Sequence, residues 1–198
     1  MMFRLGLTGS IGMGKSTTAR IFAEHGAALW DADAAVHRLY GQGGAAVGPV
    51  GEAFPNALRN DAIDREALKT ALAAAPDALQ RLEKIVHPLV AADRAAFLDQ
   101  ARREGVRIAV LDIPLLFETG AEAAMDGVAV VSTDAATQRA RVLARPGMTN
   151  AALDMILSRQ MPDAEKRARA DWVIPTDTPD AARAAVAAIC TEIEARHA

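Results

Sequence analysis

A short run near the start of the chain combines three glycines, a lysine and hydroxyl residues. Gly9-Ser10-Ile11-Gly12-Met13-Gly14-Lys15-Ser16 fits the phosphate-binding pattern G-x-x-x-x-G-K-[ST]. Its glycines let backbone N–H groups turn inward as a nest for phosphate oxygens, and the N-terminus of a following helix adds positive charge. Lys15 is spaced to reach the β- and γ-phosphates, and the Ser16 hydroxyl to bind Mg²⁺. The predicted phosphate-contacting residues are Gly9, Gly12, Met13, Gly14, Lys15, Ser16 and Thr17.

The elements around this run decide whether the match is meaningful or a chance glycine-rich turn. A buried strand is predicted from Phe3 to Thr8 and a helix from Lys15 to His25, with Gly26 as its stop. A second strand, "AALWDAD" from Ala27 to Asp33, follows. A strand, a tight loop, a helix and another strand form a βαβ unit with a parallel sheet. This is the context that the phosphate-binding motif needs, so we favour the functional interpretation.

Other patterns distinguish among the nucleotide-binding proteins that share this loop. Switch GTPases usually carry N-K-x-D, and the chain contains no Asn-Lys pair. Motor ATPases usually close a strand with two acidic residues, whereas "IAVLDIP" has the single Asp112 before Pro114. These features favour a small-molecule kinase, which needs an acceptor site beside the phosphates.

Two aspartates follow the second predicted strand and are candidates for acid–base chemistry. Asp31 and Asp33 are spaced i, i+2, so on a strand both project to one side. The carboxyl ends of parallel strands are where ligands collect. Asp33 could therefore accept a hydroxyl proton while Asp31 orients it or a metal-bound water. The alternative is that Asp33 caps a helix beginning near Ala34. Spacing alone leaves both open.

The rest of the chain is predicted to contain a helical insertion and three further strands. Loop-rich sequence precedes helices at about Arg65–Ala74, Asp77–Val86 and Pro88–Glu104. Strands are expected in "VRIAVLDIP", "GVAVVST" and "ADWVIPT", and two or three short helices between the last two. A final helix is predicted from Pro179 to about Ala195.

Composition limits the function classes. The formal net charge of −3 gives no reason to expect nucleic acid. Cys190 lies on an apolar stripe with Val186, Ile189 and Ile193, so it is predicted to be a core residue and not a catalytic thiol. A lone cysteine forms no internal disulfide, and we find no signal peptide or apolar run of membrane length. We therefore expect a cytoplasmic protein without a membrane or nucleic-acid partner.

Six segments together resemble one family. "LTGSIGMGKSTTARIF", "WDADAAVHRLY", "IVHPLV", "LDIPLLFE", "STDAATQRARVLAR" and "RADWVI" occur in the order and spacing typical of dephospho-CoA kinases, from Leu5 to Ile174. The resemblance implies ATP-dependent phosphorylation of the ribose 3′-hydroxyl of dephospho-CoA, with Mg²⁺. It also implies a three-layer α/β fold of the P-loop NTPase type, and we favour a monomer. The expected parts are a core (1–33, 105–134, 170–198), a helical substrate subdomain (34–104) and a lid (135–169).

The resemblance also implies catalytic roles for individual residues. Asp33 becomes the base on the 3′-hydroxyl, and Lys15 becomes a catalytic cation. Arg141 and Arg145 join them on a lid helix, where Gln138, Arg141 and Arg145 share one face at i, i+3 and i+7. Closing that face would bring positive charge to the transferring phosphoryl group.

Binding roles follow in the same way. Substrate contacts are implied for Asp31, His87, Leu115, Glu118 and Gln138, and a water-mediated contact with Ser16-bound Mg²⁺ for Asp33 or Asp112. The alternatives are a helix boundary at His87-Pro88 and local caps at Glu118 and Asp112. Thr176 stands where many members have an asparagine that reads the adenine edge. A threonine offers one hydroxyl where an amide offers more, so backbone groups are the alternative readers.

Two other functions stay open at this point. Another small-metabolite or nucleoside kinase would share the phosphate loop and lid but lack the "IVHPLV" and "LLFE" context. A regulator that binds ATP without an acceptor would show binding without turnover.

Overall fold

The computed structural model describes residues 1–196 and divides into two compact units. One unit comprises Met1–Trp30 and the chain from Ala101 onwards, and the other comprises Asp31–Gln100. In chain order the elements are β1 (Phe3–Thr8), α1 (Lys15–Glu24), β2 (Ala28–Asp31), α2 (Ala32–Tyr40), α3 (Val47–Ala53), a 3₁₀ turn (Pro55–Ala57), β3 (Leu58–Arg59), β4 (Ala62–Ile63), α4 (Arg65–Ala74), α5 (Ala78–Arg103), β5 (Ile108–Asp112), a 3₁₀ turn (Ala121–Ala124), β6 (Gly127–Ser132), α6 (Ala135–Leu143), α7 (Asn150–Leu157), α8 (Asp163–Arg169), β7 (Trp172–Pro175) and α9 (Pro179–Arg196).

The first unit is built around a five-stranded sheet with the order β2-β5-β1-β6-β7. β1 runs parallel to both β5 and β6, and β6 runs parallel to β7. Strands buried on both faces are expected to be continuously apolar, and every residue of β5 and β6 is buried. The predicted α/β class with a parallel sheet is therefore confirmed.

Apolar side chains cover both faces of this sheet and make the fold three-layered. On one face, Ala129 and Val131 of β6 pack with residues of α1 and α9. On the other face, Val128 and Val130 pack with Leu116 and other residues near α8. Cys190 lies in the first of these clusters and is buried, which confirms its prediction as a core residue.

The second unit has its own apolar core and a feature that the sequence analysis missed. Its core joins α2 through α5, from Leu39 to Val86. The predicted loop-rich stretch contains α3 and a β3–β4 hairpin, in which Asn60 and Asp61 both have positive φ angles of 50° and 56°. Asparagine and aspartate tolerate this conformation, so the Asn-Asp pair was a turn signal that could have been used.

The long helix α5 corrects the predicted boundary at His87-Pro88. The two expected helices form one helix, Ala78–Arg103, with Pro88 inside it. Packing of Ala78, Leu82 and Val86 in the core outweighs the loss of one backbone hydrogen bond at the proline.

Among the residues described, no helix is long and apolar enough to cross a membrane. The functional assignment of the substrate subdomain and lid stays a prediction.

Candidate phosphate-transfer site

The phosphate loop lies between β1 and α1, and its glycines are required by its geometry. Gly12 and Gly14 have φ angles of +79° and +89°, which L-residues with side chains rarely adopt. A Cβ atom at Gly12 would lie 2.5 Å from Val142 Cγ2, and one at Gly9 would lie 2.3 Å from Val131 Cγ2. The three glycines of the motif therefore let the loop backbone pack closely against its neighbours and form the phosphate-binding nest.

Lys15 lies at the first position of α1 and forms an ion pair with the Asp112 carboxylate. Asp112 ends β5 and pairs in register with Leu7 of β1, so the sheet itself brings the two groups together. The Asp112 side chain is 1% exposed and that of Lys15 is 16% exposed. The Asp112 carboxylate thus reaches across the chain to Lys15, a contact that the sequence analysis did not predict.

The side chain of Gln138 connects α6 to the phosphate loop by a hydrogen bond. Its side-chain amide donates to the Ile11 carbonyl at 2.8 Å, and the Ile11 N–H donates to Gln160 Oε1 at 3.1 Å. Gln138 is buried, with 7% exposure. Gln138 therefore holds the backbone of the phosphate loop, and its contact with substrate stays a prediction.

The two arginines of the predicted lid face occupy different environments. α6 ends at Leu143, so Arg145 follows the helix and does not share a helical face with Arg141 as predicted. Arg145 is exposed, whereas Arg141 donates to the Thr176 carbonyl at 2.7 Å. The sequence Arg145-Pro146-Gly147 ends the helix, and Gly147 has a φ angle of +75°.

Thr176 directly follows β7 and lies beneath the phosphate loop. Its hydroxyl is 2.7 Å from the Met13 carbonyl and 3.2 Å from the Ser132 carbonyl, and its N–H donates to Ser132. The residue is 7% exposed. The buried side chain of Thr176 thus contacts the phosphate loop.

Glu118, the last residue of the "LDIPLLFE" segment, forms an ion pair with the buried side chain of Lys166. Lys166 Nζ lies 2.9 Å from Glu118 Oε1, and the Met161 N–H donates to the same oxygen at 2.8 Å. Burial acts to raise the pKa of the Glu118 carboxyl, but the hydrogen bonds from Lys166 and the Met161 N–H outweigh it and lower that pKa overall. Glu118 is therefore not a simple local cap.

Lys166 is a functional candidate that the sequence analysis missed. Its side chain is fully buried and its ammonium group lies 3.5 Å from the Pro114 carbonyl, which also accepts from the Thr8 hydroxyl at 3.1 Å. In "DAEKRAR" this lysine sits among other charges and has no signal that separates it from surface residues. Leu115, which follows Pro114, is 41% exposed.

The second unit carries the two aspartates and His87. Asp31 is the N-cap of α2, where its side chain accepts from the Ala34 N–H at 2.8 Å. Asp33 is an exposed residue in the first turn of that helix. Both the predicted strand position of Asp33 and its alternative as the helix cap are wrong, since the helix begins two residues earlier than expected. His87 is exposed on α5.

The donor set suits a metal that is held mainly by phosphates. Ser16 and Thr17 are exposed at the start of α1. Within residues 1–196 no group of three or more His, Cys, Asp or Glu side chains is placed to hold a metal ion. Mg²⁺ usually keeps several waters and takes one or two protein oxygens plus substrate phosphates, so the Ser16 hydroxyl and phosphate loop fit it.

A family model and curated relatives that match this chain carry the name dephospho-CoA kinase. The family model for dephospho-CoA kinase matches residues 3–181. A dephospho-CoA kinase of Ruegeria pomeroyi is 60% identical over 98% of this chain and 98% of its own length. One of Cereibacter sphaeroides is also 60% identical, over 96% of this chain and 95% of its own. A crystal structure from Thermus thermophilus is 31% identical with a TM-score of 0.83, covering 96% of this chain and 97% of that one.

Proposed function

We propose, from the premise that this chain belongs to the dephospho-CoA kinase family, that it transfers the γ-phosphoryl group of ATP to the ribose 3′-hydroxyl of dephospho-CoA. The products are CoA and ADP. The observation that carries the proposal is the phosphate loop with Lys15 at its helix N-terminus, combined with family identity over nearly the whole chain.

The phosphate loop accounts for binding and charge stabilisation. Inward-facing N–H groups of the Gly9–Ser16 run bind phosphate oxygens, and Lys15 adds a full positive charge at the β- and γ-phosphates. Arg141 and Arg145 supply further positive charge as negative charge develops on the transferring group. The Ser16 hydroxyl would hold Mg²⁺ together with the phosphates, and the ion would neutralise part of their charge.

Asp33 is proposed as the base that accepts the 3′-hydroxyl proton. Its exposed carboxylate is available to a ligand, since Asp31 and not Asp33 caps the helix. Asp31 then has a positioning role, because it fixes the first turn of α2 on which Asp33 lies. Exposed His87 and Leu115 are proposed to contact dephospho-CoA, with Glu118 and Lys166 holding the segment that carries Leu115.

The proposal is tested by measuring ADP release from Mg-ATP with dephospho-CoA, adenosine, shikimate or no acceptor. We expect turnover with dephospho-CoA and formation of CoA. Turnover only with another acceptor would identify a different small-metabolite kinase. Binding of ATP without acceptor-dependent turnover would identify a regulator.

Asp33→Asn tests the proposed base in the same assay. We expect kcat to fall on the order of 10²–10⁴-fold with ATP binding retained. Asp61→Asn, at an exposed turn position of the same unit, is the matched control and should retain wild-type turnover. Unchanged turnover in Asp33→Asn would contradict the role of Asp33.

We further propose that the protein is a monomer and that it lies in the cytoplasm, as its sequence led us to expect.

A further inference from the structure

We propose that Thr176 is a positioning residue of the phosphate loop, which it couples to Arg141, and does not read the nucleotide base. The inference rests on the proposed function for the identity of the nucleotide. It is carried by the hydrogen bonds of Thr176 with Met13 and Arg141 and by its position beside Gly14.

The hydroxyl of Thr176 is committed to the loop. Its single proton can go to one acceptor, and the Met13 carbonyl at 2.7 Å is closer than the Ser132 carbonyl at 3.2 Å. With 7% exposure, the residue has almost no surface to offer a base. A base reader needs an accessible polar edge, which Thr176 lacks.

Holding the Met13 carbonyl fixes the direction of a phosphate-binding group. The Met13–Gly14 peptide is trans, so its carbonyl and the Gly14 N–H point in opposite directions. A donor on the Met13 carbonyl therefore turns the Gly14 N–H away from Thr176, toward the open side of the nest. Gln138 does the same for the Ile11–Gly12 peptide through the Ile11 carbonyl.

The side chain of Thr176 also supports the loop by packing. A Cβ atom built on Gly14 would lie 3.3 Å from Thr176 Cβ and 3.4 Å from its Cγ2 and Oγ1. Thr176 therefore lies where a side chain at position 14 would project. The absence of a side chain at Gly14 therefore leaves the space that Thr176 occupies.

The carbonyl of Thr176 extends the support to a cationic residue. Arg141 donates to that carbonyl at 2.7 Å, and a second guanidinium nitrogen lies 3.4 Å from the hydroxyl. Thr176 thus contacts both the phosphate loop and Arg141, which is proposed to stabilise the negative charge of the transferred phosphoryl group. The arrangement holds both in place before any ligand contact is made, which reduces the entropy lost on binding.

Calorimetric binding to three probes tests this role without any acceptor. The probes are ADP, GDP and inorganic tripolyphosphate, which has no base, and the variant is Thr176→Val, which removes the hydroxyl and keeps the shape. We expect affinity for all three probes to fall by the same factor, about three- to tenfold for one lost hydrogen bond. The ratio of ADP to GDP affinity should not change.

Two further variants separate positioning from general destabilisation. Thr176→Ser keeps the hydroxyl and should recover most of the affinity. Thr191→Val removes an exposed hydroxyl that donates to the Ala187 carbonyl of α9, and should bind as the wild type does. Circular dichroism verifies that each variant is folded.

Three results would overturn the inference. One is a Thr176→Val variant that loses affinity for ADP while keeping affinity for tripolyphosphate, which would show base reading. The others are unchanged affinity for all three probes and failure of the serine variant to recover binding. Because no probe is an acceptor, these outcomes are independent of whether dephospho-CoA is the substrate.

Discussion

The ammonium group of Lys15 forms an ion pair with the carboxylate of Asp112, which is buried at the carboxyl end of β5. The pair joins the first residue of the helix after the phosphate loop to the strand beside β1. A buried carboxylate that loses its partner is costly, so this contact has consequences for stability as well as for phosphate binding.

Lys15→Met should lower both stability and activity. Removing the ammonium takes away the cation paired with a buried carboxylate, and we expect the free energy of unfolding to fall by about 3 kcal/mol. Turnover should be lost, because the phosphates lose their lysine. Adding Asp112→Asn to that variant should restore stability but not activity, as measured by urea unfolding and ADP release. A Lys15→Met variant that is as stable as the wild type would show that the ion pair does not stabilise the protein.

Gly12→Ala should disrupt the phosphate loop. The new methyl group would lie 2.5 Å from Val142 and 3.1 Å from the Gln138 carbonyl, at a positive φ angle. We expect ADP affinity to fall more than tenfold, because the loop must shift to relieve the clash. Gly26→Ala is the matched control: its φ angle is also positive, but its Cβ would have no atom within 4 Å. Calorimetry should show normal ADP binding by that control.

The Glu118–Lys166 pair predicts a dependence of stability on pH. Hydrogen bonds lower the pKa of Glu118 in the folded protein below the reference value of 4.5. Its stabilising contribution is therefore complete above pH 4.5 and is lost as the pH falls through the folded pKa. The difference in unfolding free energy between the wild type and Glu118→Gln should shrink below about pH 4.5. Urea unfolding between pH 7 and pH 3.5 measures it.

A matched substitution isolates this effect from the general response to acid. Glu83→Gln removes an exposed carboxylate on α5. The Glu118→Gln difference should change with pH by more than the Glu83→Gln difference does. A Glu118→Gln difference that stays constant would show that the pair does not titrate as proposed.

Cys190 should resist alkylation. Burial raises the pKa of its thiol to about 11, with a further contribution from the nearby Glu194 carboxylate, so the reactive thiolate is scarce at pH 8. Iodoacetamide should modify the folded protein very slowly and the urea-unfolded chain rapidly, as followed by mass spectrometry. Rapid modification of the folded protein would show that α9 opens readily.

Sequence patterns were sufficient where local residue types determine the backbone. β1 matches its predicted span, and the helix after the phosphate loop begins at Lys15 as expected, because apolar periodicity and the motif specify both. α4 also matches its predicted bounds, Arg65–Ala74. Periodicity did not predict that α5 would continue through Pro88, because core packing over many turns outweighed a local signal.

The site could be predicted only in part, because tertiary partners decide what a polar side chain does. Asp31 ends β2 as expected, but Asp33 lies in the first turn of α2, because the strand stops at Asp31 and that residue caps the helix. Gln138 and Thr176 resemble ligand-binding residues in the sequence, yet both bind loop carbonyls 127 and 163 residues away. The spacing of residues along the sequence does not predict such contacts between distant segments.

The position of the transferred phosphate tests the account most directly. The measurement is the ³¹P NMR spectrum of the product formed from dephospho-CoA and Mg-ATP, compared with authentic CoA. The account predicts one new phosphomonoester on the ribose 3′-oxygen, together with one equivalent of ADP. Phosphate on any other atom of dephospho-CoA, or release of ADP with inorganic phosphate and unchanged dephospho-CoA, would contradict it.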